Sequence, residues 1–590
     1  MCGVHCIVDF AKNDLAESIK AMAKATTHRG TEPPQALQLV QSNFHIALGH
    51  NLLPISTKQI VSQPFTDTQK CYFLVWNGEI YNYKAIDQKH HFTNFTQSDT
   101  ETLFNYLVAF SEKKANWGEL QGIFAFIFYD TQNNRLLTAR DRHGVKPLYY
   151  YQKDQKILFA SEIQAFWAST LVQKNIRKEA INEYLTFKFP LRPDTFFENL
   201  YEHPNCLQIW NLETKTTETI TPTIPSDTPT FNPASIVSVT EKLLSEAVEK
   251  QYAHVYPPAL MLSGGVDSTL LLALARRQGF DLPAFSIISD EKKFTKDANF
   301  AQKAAQIFQT PLEQICVDIS FLEQLPEILL RADYPIADTA ILPTYLIAQK
   351  AKQQNIRVLW NGAGADELFA GYNRHKAFYY YLKNPKFWNK LAQIASKIPF
   401  PNRQIAKFLD NIHPNEQQTF LNFASMEIKK SKVNYFESKS LLDFALHWDR
   451  ENYLFSDLLK INDFWAMRAT VEVRVPYLDD TLSHFAEQIP AEFLLKNGKK
   501  WILKEILKRN GGKIFTQRRK EGFGIPFGHW IRQEKYFHLF DFLQKPRHTI
   551  FEHLSYQKAQ FLWKNHQNLK ADYTAELFAI YFLAVWLEGQ

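Results

Sequence analysis

The sequence predicts a two-domain α/β protein, with a mainly β N-terminal third followed by a doubly wound parallel sheet carrying added helices. Three observations predict it. At 590 residues the chain exceeds the size at which one hydrophobic core stops growing, and its 45% apolar content can fill two. The first third consists of short apolar or alternating runs separated by turn residues. After a proline-rich break, strand-like and helix-like runs alternate, the pattern of a parallel sheet.

In chain order, CYFLVW (71–76), GIFAFIFYD (122–130) and ILFASE (157–162) read as strands. TPTIPSDTPTFNPAS (221–235) interleaves four prolines with polar residues and has no periodicity, which makes it the linker. ALMLSGG (259–265) reads as a buried strand, STLLLALARRQG (268–279) as the helix after it, PAFSIIS (283–289) as the next strand and NFAQKAAQIF (299–308) as another helix. From about 377 onward helical periodicity dominates, and no internal repeat or low-complexity tract interrupts it. The expected division is 1–220, a linker at 221–235, and 236–590.

A formal charge of +6 from 67 basic and 61 acidic residues is small and dispersed, which argues against nucleic acid and against a membrane-surface role. Arg518-Arg519-Lys520 reads as a solvated face. The five cysteines (Cys2, Cys6, Cys71, Cys206, Cys316) form neither a disulfide framework nor a CxxC pattern, as suits a reducing compartment. Asp9 interrupts any apolar leader, and the apolar run 577–587 is too short to span a bilayer and reads as a buried helix. A cytoplasmic protein without a membrane span is expected.

A cysteine at position 2 is an unusual place for a structural residue, because a terminus frays unless something ties it down. Removal of Met1 would give Cys2 a thiol and a free α-amine. That amine titrates near pH ~8 and serves, directly or through a water, as the base that makes the thiolate. NGEIYN (77–82), after the strand CYFLVW, offers the Asn77 side-chain amide and the Gly78 backbone N–H as an oxyanion hole. QSDTE (97–101) places Asp99 in a polar loop, where a carboxylate can bind a ligand ammonium.

With HRG (28–30), LGH (48–50), QPF (63–65), FAFIFYD (124–130), ARDRHGVKPLYY (139–150) and FASE (159–162), these blocks resemble the class II glutamine amidotransferases, which are N-terminal nucleophile hydrolases. The resemblance implies an αββα sandwich, Cys2 as nucleophile, Asn77 and Gly78 as oxyanion donors, and Asp99 with Glu79 holding the amino acid end of glutamine. One position departs. Where the family has an arginine gripping the glutamine carboxylate, GHNLLPI (49–55) has Leu52. Losing a charge-assisted hydrogen bond of about 1.5–3 kcal/mol weakens binding by roughly tens to a hundredfold, unless a cation such as Arg29 or Lys58 substitutes.

SGGVDS (263–268) lies between an apolar strand and a Leu/Ala-rich helix, so its glycines let backbone N–H groups approach a phosphate at the helix N-terminus. Followed by NGAGADELFAGYNRH (361–375), it resembles the ATP-pyrophosphatase fold of asparagine synthetases. PTYL (343–346), EVRVPYLDD (472–480), NGKKWILKE (497–505) and RRKEGFGIPFGHW (518–530) agree with that family. The resemblance implies ATP and Mg²⁺ as cofactors. Ser263, Gly264, Gly265 and Ser268 would cradle pyrophosphate, Ile287, Asn361 and Gly362 would meet the nucleoside, and Asp267 and Asp366 would bind Mg²⁺. Lys500 would neutralise developing phosphate charge from a helix's first turn.

The implied reaction is ATP-dependent amide synthesis with glutamine as nitrogen donor and a small carboxylate as acceptor. L-aspartate, giving asparagine through a β-aspartyl adenylate, is the first choice. Two departures lie where that acceptor would bind: Ala363 replaces an acidic residue, and Thr339 in DTAILP (338–343) stands opposite the arginine of the family's RAST-P block. They keep open a second acceptor, a uronic-acid sugar of a surface polysaccharide. The oligomeric state is left open, a homodimer included.

Overall fold

The computed structural model of the chain describes all residues except 1, 58, 222–228, 253–254, 292–294, 396–402, 427, 429–437 and 519–524, and for 296, 403 and 404 only the backbone. Residues 222–228 of the expected linker, Lys58 and residues 519–524 of RRKEGFGIPFGHW therefore lie outside the described residues.

Two six-stranded sheets with antiparallel pairing form the N-terminal part. Gly3–Asp9 sits inside one of them, between His45–Asn51 and Lys156–Ala160. The other contains Tyr72–Ile80, paired along its whole length with Gly122–Asp130. Because side chains alternate across a strand, each strand supplies two cores. Val4, Cys6 and Val8 meet Phe73, Val75 and Ile127 between the sheets. Leu74, Trp76 and Phe126 turn the other way, against Leu103 and Leu107 of the helix Asp99–Ser111. Ile7 and Ala47 pack outward on Ile19 and Met22 of the helix Ala16–Ala25. The result is the four-layer αββα sandwich.

The C-terminal part holds five parallel strands in the order Leu312–Val317, Ala284–Ser289, Ala259–Met261, Val358–Trp360, Glu472–Arg474. Its earliest strand is central, so connections run to both sides and the strand order switches direction beside it. The helix Val266–Arg277 is buried from Ser268 to Ala275, as its Leu and Ala content on every face requires. The helix Thr574–Glu588 is likewise buried over most of its length. Among the described residues no helix is long and apolar enough to cross a membrane.

The two parts share one interior. Ile123, Val145 and Phe187 belong to the same apolar cluster as Leu260 and Trp360. Around that cluster run cross-links between the parts, including His143 to Ser483 (2.8 Å) and Arg142 to Glu487 (2.6 Å).

Ile127 has no exposed surface between the two antiparallel sheets. Ile127→Ala is expected to destabilise the N-terminal part by about 2–5 kcal/mol, through lost burial and the cavity left behind. A lowered urea midpoint in tryptophan fluorescence checks it.

Candidate active site

The strand Gly3–Asp9 begins directly after Cys2, so sheet pairing holds down the end of the chain. Cys2 is buried, and its backbone nitrogen donates to Asn77 Oδ1 at 2.8 Å. With Met1 removed, that nitrogen is the α-amine. The same contact fixes the Asn77 side chain, whose Nδ2 is buried and makes no hydrogen bond among the described residues. A buried donor left unmet costs about 1–3 kcal/mol, and an incoming carbonyl oxygen would satisfy it. Burial pushes the Cys2 thiol up, while the N-terminal charge, a hydrogen bond from the Leu53 backbone and Arg29 pull it down.

The strand does not end before NGEIYN but continues through Asn77, Gly78 and Glu79 to Ile80. Gly78 has φ +146°, and a Cβ there would lie 2.0 Å from the Ile123 carbonyl oxygen on the paired strand. Only glycine fits.

Asp99 is not in a loop: it opens the helix Asp99–Ser111, capped by Ser98, whose side chain accepts from Thr100 N. Its Oδ1 accepts from Ser56 Oγ at 3.1 Å and its Oδ2 from the Ile80 backbone at 3.3 Å. Burial raises its pKa to about 6 in spite of those donors. Glu79 bonds the guanidinium of Arg474, which is wholly buried. Arg474 also binds Glu472 through Nε (2.7 Å) and the Gln251 carbonyl through Nη1 (2.8 Å). Lys146 completes the group, 3.3 Å from Glu472.

Among the described residues, Arg29 does not stand in for the arginine missing at Leu52. Arg29 is wholly buried, with Nε on the Cys2 carbonyl at 3.0 Å and Nη1 on Glu162 (2.7 Å) and Asp463 (2.9 Å). Two carboxylates already balance its charge, so it anchors Cys2 rather than replacing the missing arginine.

In the C-terminal part, three adjacent parallel strands bring their C-terminal ends together. Ser263 to Ser268 follow the central one, Ile287 lies near the end of Ala284–Ser289, and Asn361 and Gly362 follow Val358–Trp360. This crevice at the switch in strand order is where open α/β sheets bind ligands. Gly264 has φ +65°, and a Cβ on it would meet the Ala301 nitrogen at 2.4 Å. Ser263 Oγ and Ser268 Oγ lie 3.1 Å apart, and Gly265 N donates to Ser263 Oγ at 3.3 Å. Asn361 donates its backbone N–H to the Arg474 carbonyl (3.0 Å) and its Nδ2 to Asn462 (3.1 Å).

Lys500 stands just before the helix Trp501–Arg509 rather than inside its first turn, with φ +53°. Its ammonium is 2.7 Å from Asp267 and 2.5 Å from Asp366. One cation thus reaches both carboxylates, and this all-oxygen pair fits an oxygen-seeking divalent ion. Gly371 permits the approach, since a Cβ there would fall 1.8 Å from Asp366 Oδ1. Beside them Glu367 is buried on Tyr372, and burial next to Asp366 raises it to about 7. Near Thr339 the charges are Lys188 and Asp338, 3.3 Å apart. Asp457 is also buried nearby, its pKa well above the carboxylate range.

The structure therefore gathers Cys2, Asn77, Gly78, Glu79 and Asp99 around one centre, and Ser263 to Ser268, Ile287, Asn361, Gly362, Asp366 and Lys500 around another. Sequence reasoning missed Lys146, Glu367, Glu472 and Arg474 as site residues, and considered Arg29 only as a substitute for the missing arginine. Each lies inside one of the motif blocks, so the available signal was its place in that block.

Each of the two parts matches a known family. Residues 240–588 match the asparagine synthase family, and residues 1–220 match the glutamine amidotransferase domain. The chain is 27% identical to asparagine synthetase [glutamine-hydrolyzing] 1 of Bacillus subtilis, over 99% of this chain and 96% of that one. It is 26% identical to asparagine synthetase [glutamine-hydrolyzing] 3 of the same organism, covering 86% and 84% respectively.

Arg29→Met would leave Glu162 and Asp463 buried without their shared cation. A loss of about 3–5 kcal/mol is expected in urea unfolding, the range for breaking a buried ion pair from one side.

Proposed function

The chain belongs to the asparagine synthase family, and on that premise we propose that it transfers glutamine-derived ammonia to L-aspartate, activated as its β-adenylate, giving asparagine. Glutamine hydrolysis and ATP use follow from the family and its amidotransferase domain. The matched ranges support a division into 1–220, a linker at 221–235, and 236–590.

The observation that carries the reading is the Arg474 bridge. It joins Glu79, assigned to the glutamine ammonium, to the strand whose carbonyl holds Asn361 beside the pyrophosphate loop. Two separate activities would have no need of it.

In this mechanism the Cys2 α-amine takes the thiol proton, and the thiolate adds to the glutamine carboxamide carbon. Negative charge builds on the former carbonyl oxygen, where Asn77 Nδ2 and the Gly78 N–H receive it. Ammonia leaves, and water releases glutamate from the thioester. In the second centre the acceptor carboxylate attacks the α-phosphorus of ATP, and pyrophosphate departs against Ser263, Gly264, Gly265 and Ser268. Asp267 and Asp366 would hold Mg²⁺, which supplies charge neutralisation to the phosphates. Lys500, already between those carboxylates, turns to the phosphates as their charge grows. Ammonia crossing between the centres displaces AMP and forms the amide.

Thr339 and Ala363 favour a second reading, in which a uronic-acid sugar replaces aspartate. Neither residue supplies the charge that the family places near the acceptor.

Cys2→Ala is expected to abolish glutamine-dependent product while sparing synthesis from ammonium; unchanged glutamine use would remove Cys2 as nucleophile. ATP–pyrophosphate exchange should respond to L-aspartate, and exchange with a uronate alone would transfer the assignment to the second reading. Asp99 must be ionised to hold an ammonium, and its pKa lies at about 6. The KM for glutamine should therefore rise as pH falls below that value, about tenfold per unit, and Asp99→Asn should raise KM at neutral pH and flatten the profile.

A further inference from the structure

The helix Pro385–Ala395 has no buried residue. Four of the exposed large hydrophobic side chains, Tyr380, Phe387, Ile394 and Ile405, fall on it or beside it, at 47%, 53%, 48% and 42% exposure. Single exposed hydrophobics are ordinary, but a cluster on one helical surface marks an interaction site. Phe387, Leu391 and Ile394 follow the i, i+4, i+7 spacing of one helical face. Trp388 fastens the helix to the body, its ring 5.1 Å from Phe408, which stacks on Phe423 at 5.3 Å.

The same stretch is basic. Residues 373–395 contain Arg374, Lys376, Lys383, Lys386 and Lys390 and no aspartate or glutamate. Arg374 is taken up by Asp449 at 2.7 Å. Two of the lysines sit among rings instead: Lys383 lies 4.6 Å from the Tyr379 ring centroid and 5.3 Å from that of Tyr380, and Lys376 lies 5.7 Å from Tyr380. The near-balanced charge of the whole chain conceals this patch.

We propose that the helix Pro385–Ala395, with Tyr380 and Lys383 beside it, docks the protein on an anionic lipid bilayer, lying in the plane of the headgroups. A nucleic acid or an acidic protein complements the lysines but leaves Phe387 and Ile394 in water. A bilayer surface takes both, with lysine stems extending to phosphates and the apolar face entering the acyl boundary. Tyrosine and tryptophan suit the same level, since one end of each is apolar and the other polar.

The test sediments the full-length protein with vesicles of phosphatidylcholine alone and with vesicles also containing phosphatidylglycerol. The protein should pellet with the second kind only. Lys383→Gln, Lys386→Gln and Lys390→Gln together should lower the partition coefficient about a hundredfold, the loss that roughly 1 kcal/mol per lysine implies. Phe387→Ser with Ile394→Ser should lower it about tenfold or more. Both variants should keep wild-type glutamine hydrolysis and ATP–pyrophosphate exchange, which shows that they are folded. Failure of the wild type to pellet with anionic vesicles overturns the proposal, as does undiminished pelleting of the lysine variant. Pelleting undiminished in the serine variant overturns it too, since the apolar face would then take no part in binding.

Discussion

The guanidinium of Arg474 is the contact on which the relation between the two centres depends. A cation without solvent exposure is tolerated only when paired and hydrogen-bonded, and this one meets Glu79, Glu472 and the Gln251 carbonyl. Glu79 belongs to a strand of the αββα sandwich and Glu472 to the parallel sheet. Separating the parts would strand several charges in an apolar interior at once. The interface is therefore held in one register, and the carbonyl of the same residue sets Asn361 at the mouth of the crevice.

Arg29 does for Cys2 what Arg474 does for Asn361. A chain end has no partner beyond itself, and here a guanidinium takes its first described carbonyl while two carboxylates from distant positions hold the guanidinium. The thiol is thus fixed by a contact that depends on the other half of the molecule. Steric constraint supplies the rest. Gly78, Gly264 and Gly371 each stand where a Cβ would strike a neighbour at 2.4 Å or less, so backbone and carboxylate groups come closer than any side chain would allow.

Much of this was legible in sequence because it is local. Alternation in CYFLVW and GIFAFIFYD yields two faces wherever the strands pair, and the Leu/Ala run after SGGVDS is a buried helix whatever covers it. The position of Asp99 was legible too and was misread. Ser98 with Glu101 three residues on is a helix-start signature, and it outweighs the polar composition that suggested a loop. The NGEIYN segment stayed in its strand because Gly122–Asp130 offers pairing along its full length.

By itself, then, the sequence determined the two fold types, since strand alternation and a glycine turn between an apolar strand and a Leu/Ala-rich helix are patterns of residues close together in the chain. The tertiary structure alone decided which carboxylate each buried cation meets. Arg474 and Glu79 are 395 positions apart, and Arg29 and Asp463 are 434 apart. It also decided that Lys500 lies between Asp267 and Asp366, and that a basic, aromatic helix remains uncovered on a chain of nearly balanced charge. The physical reason is the same throughout. A long charged side chain has no preferred partner until burial removes water and leaves it only what the fold has brought within reach.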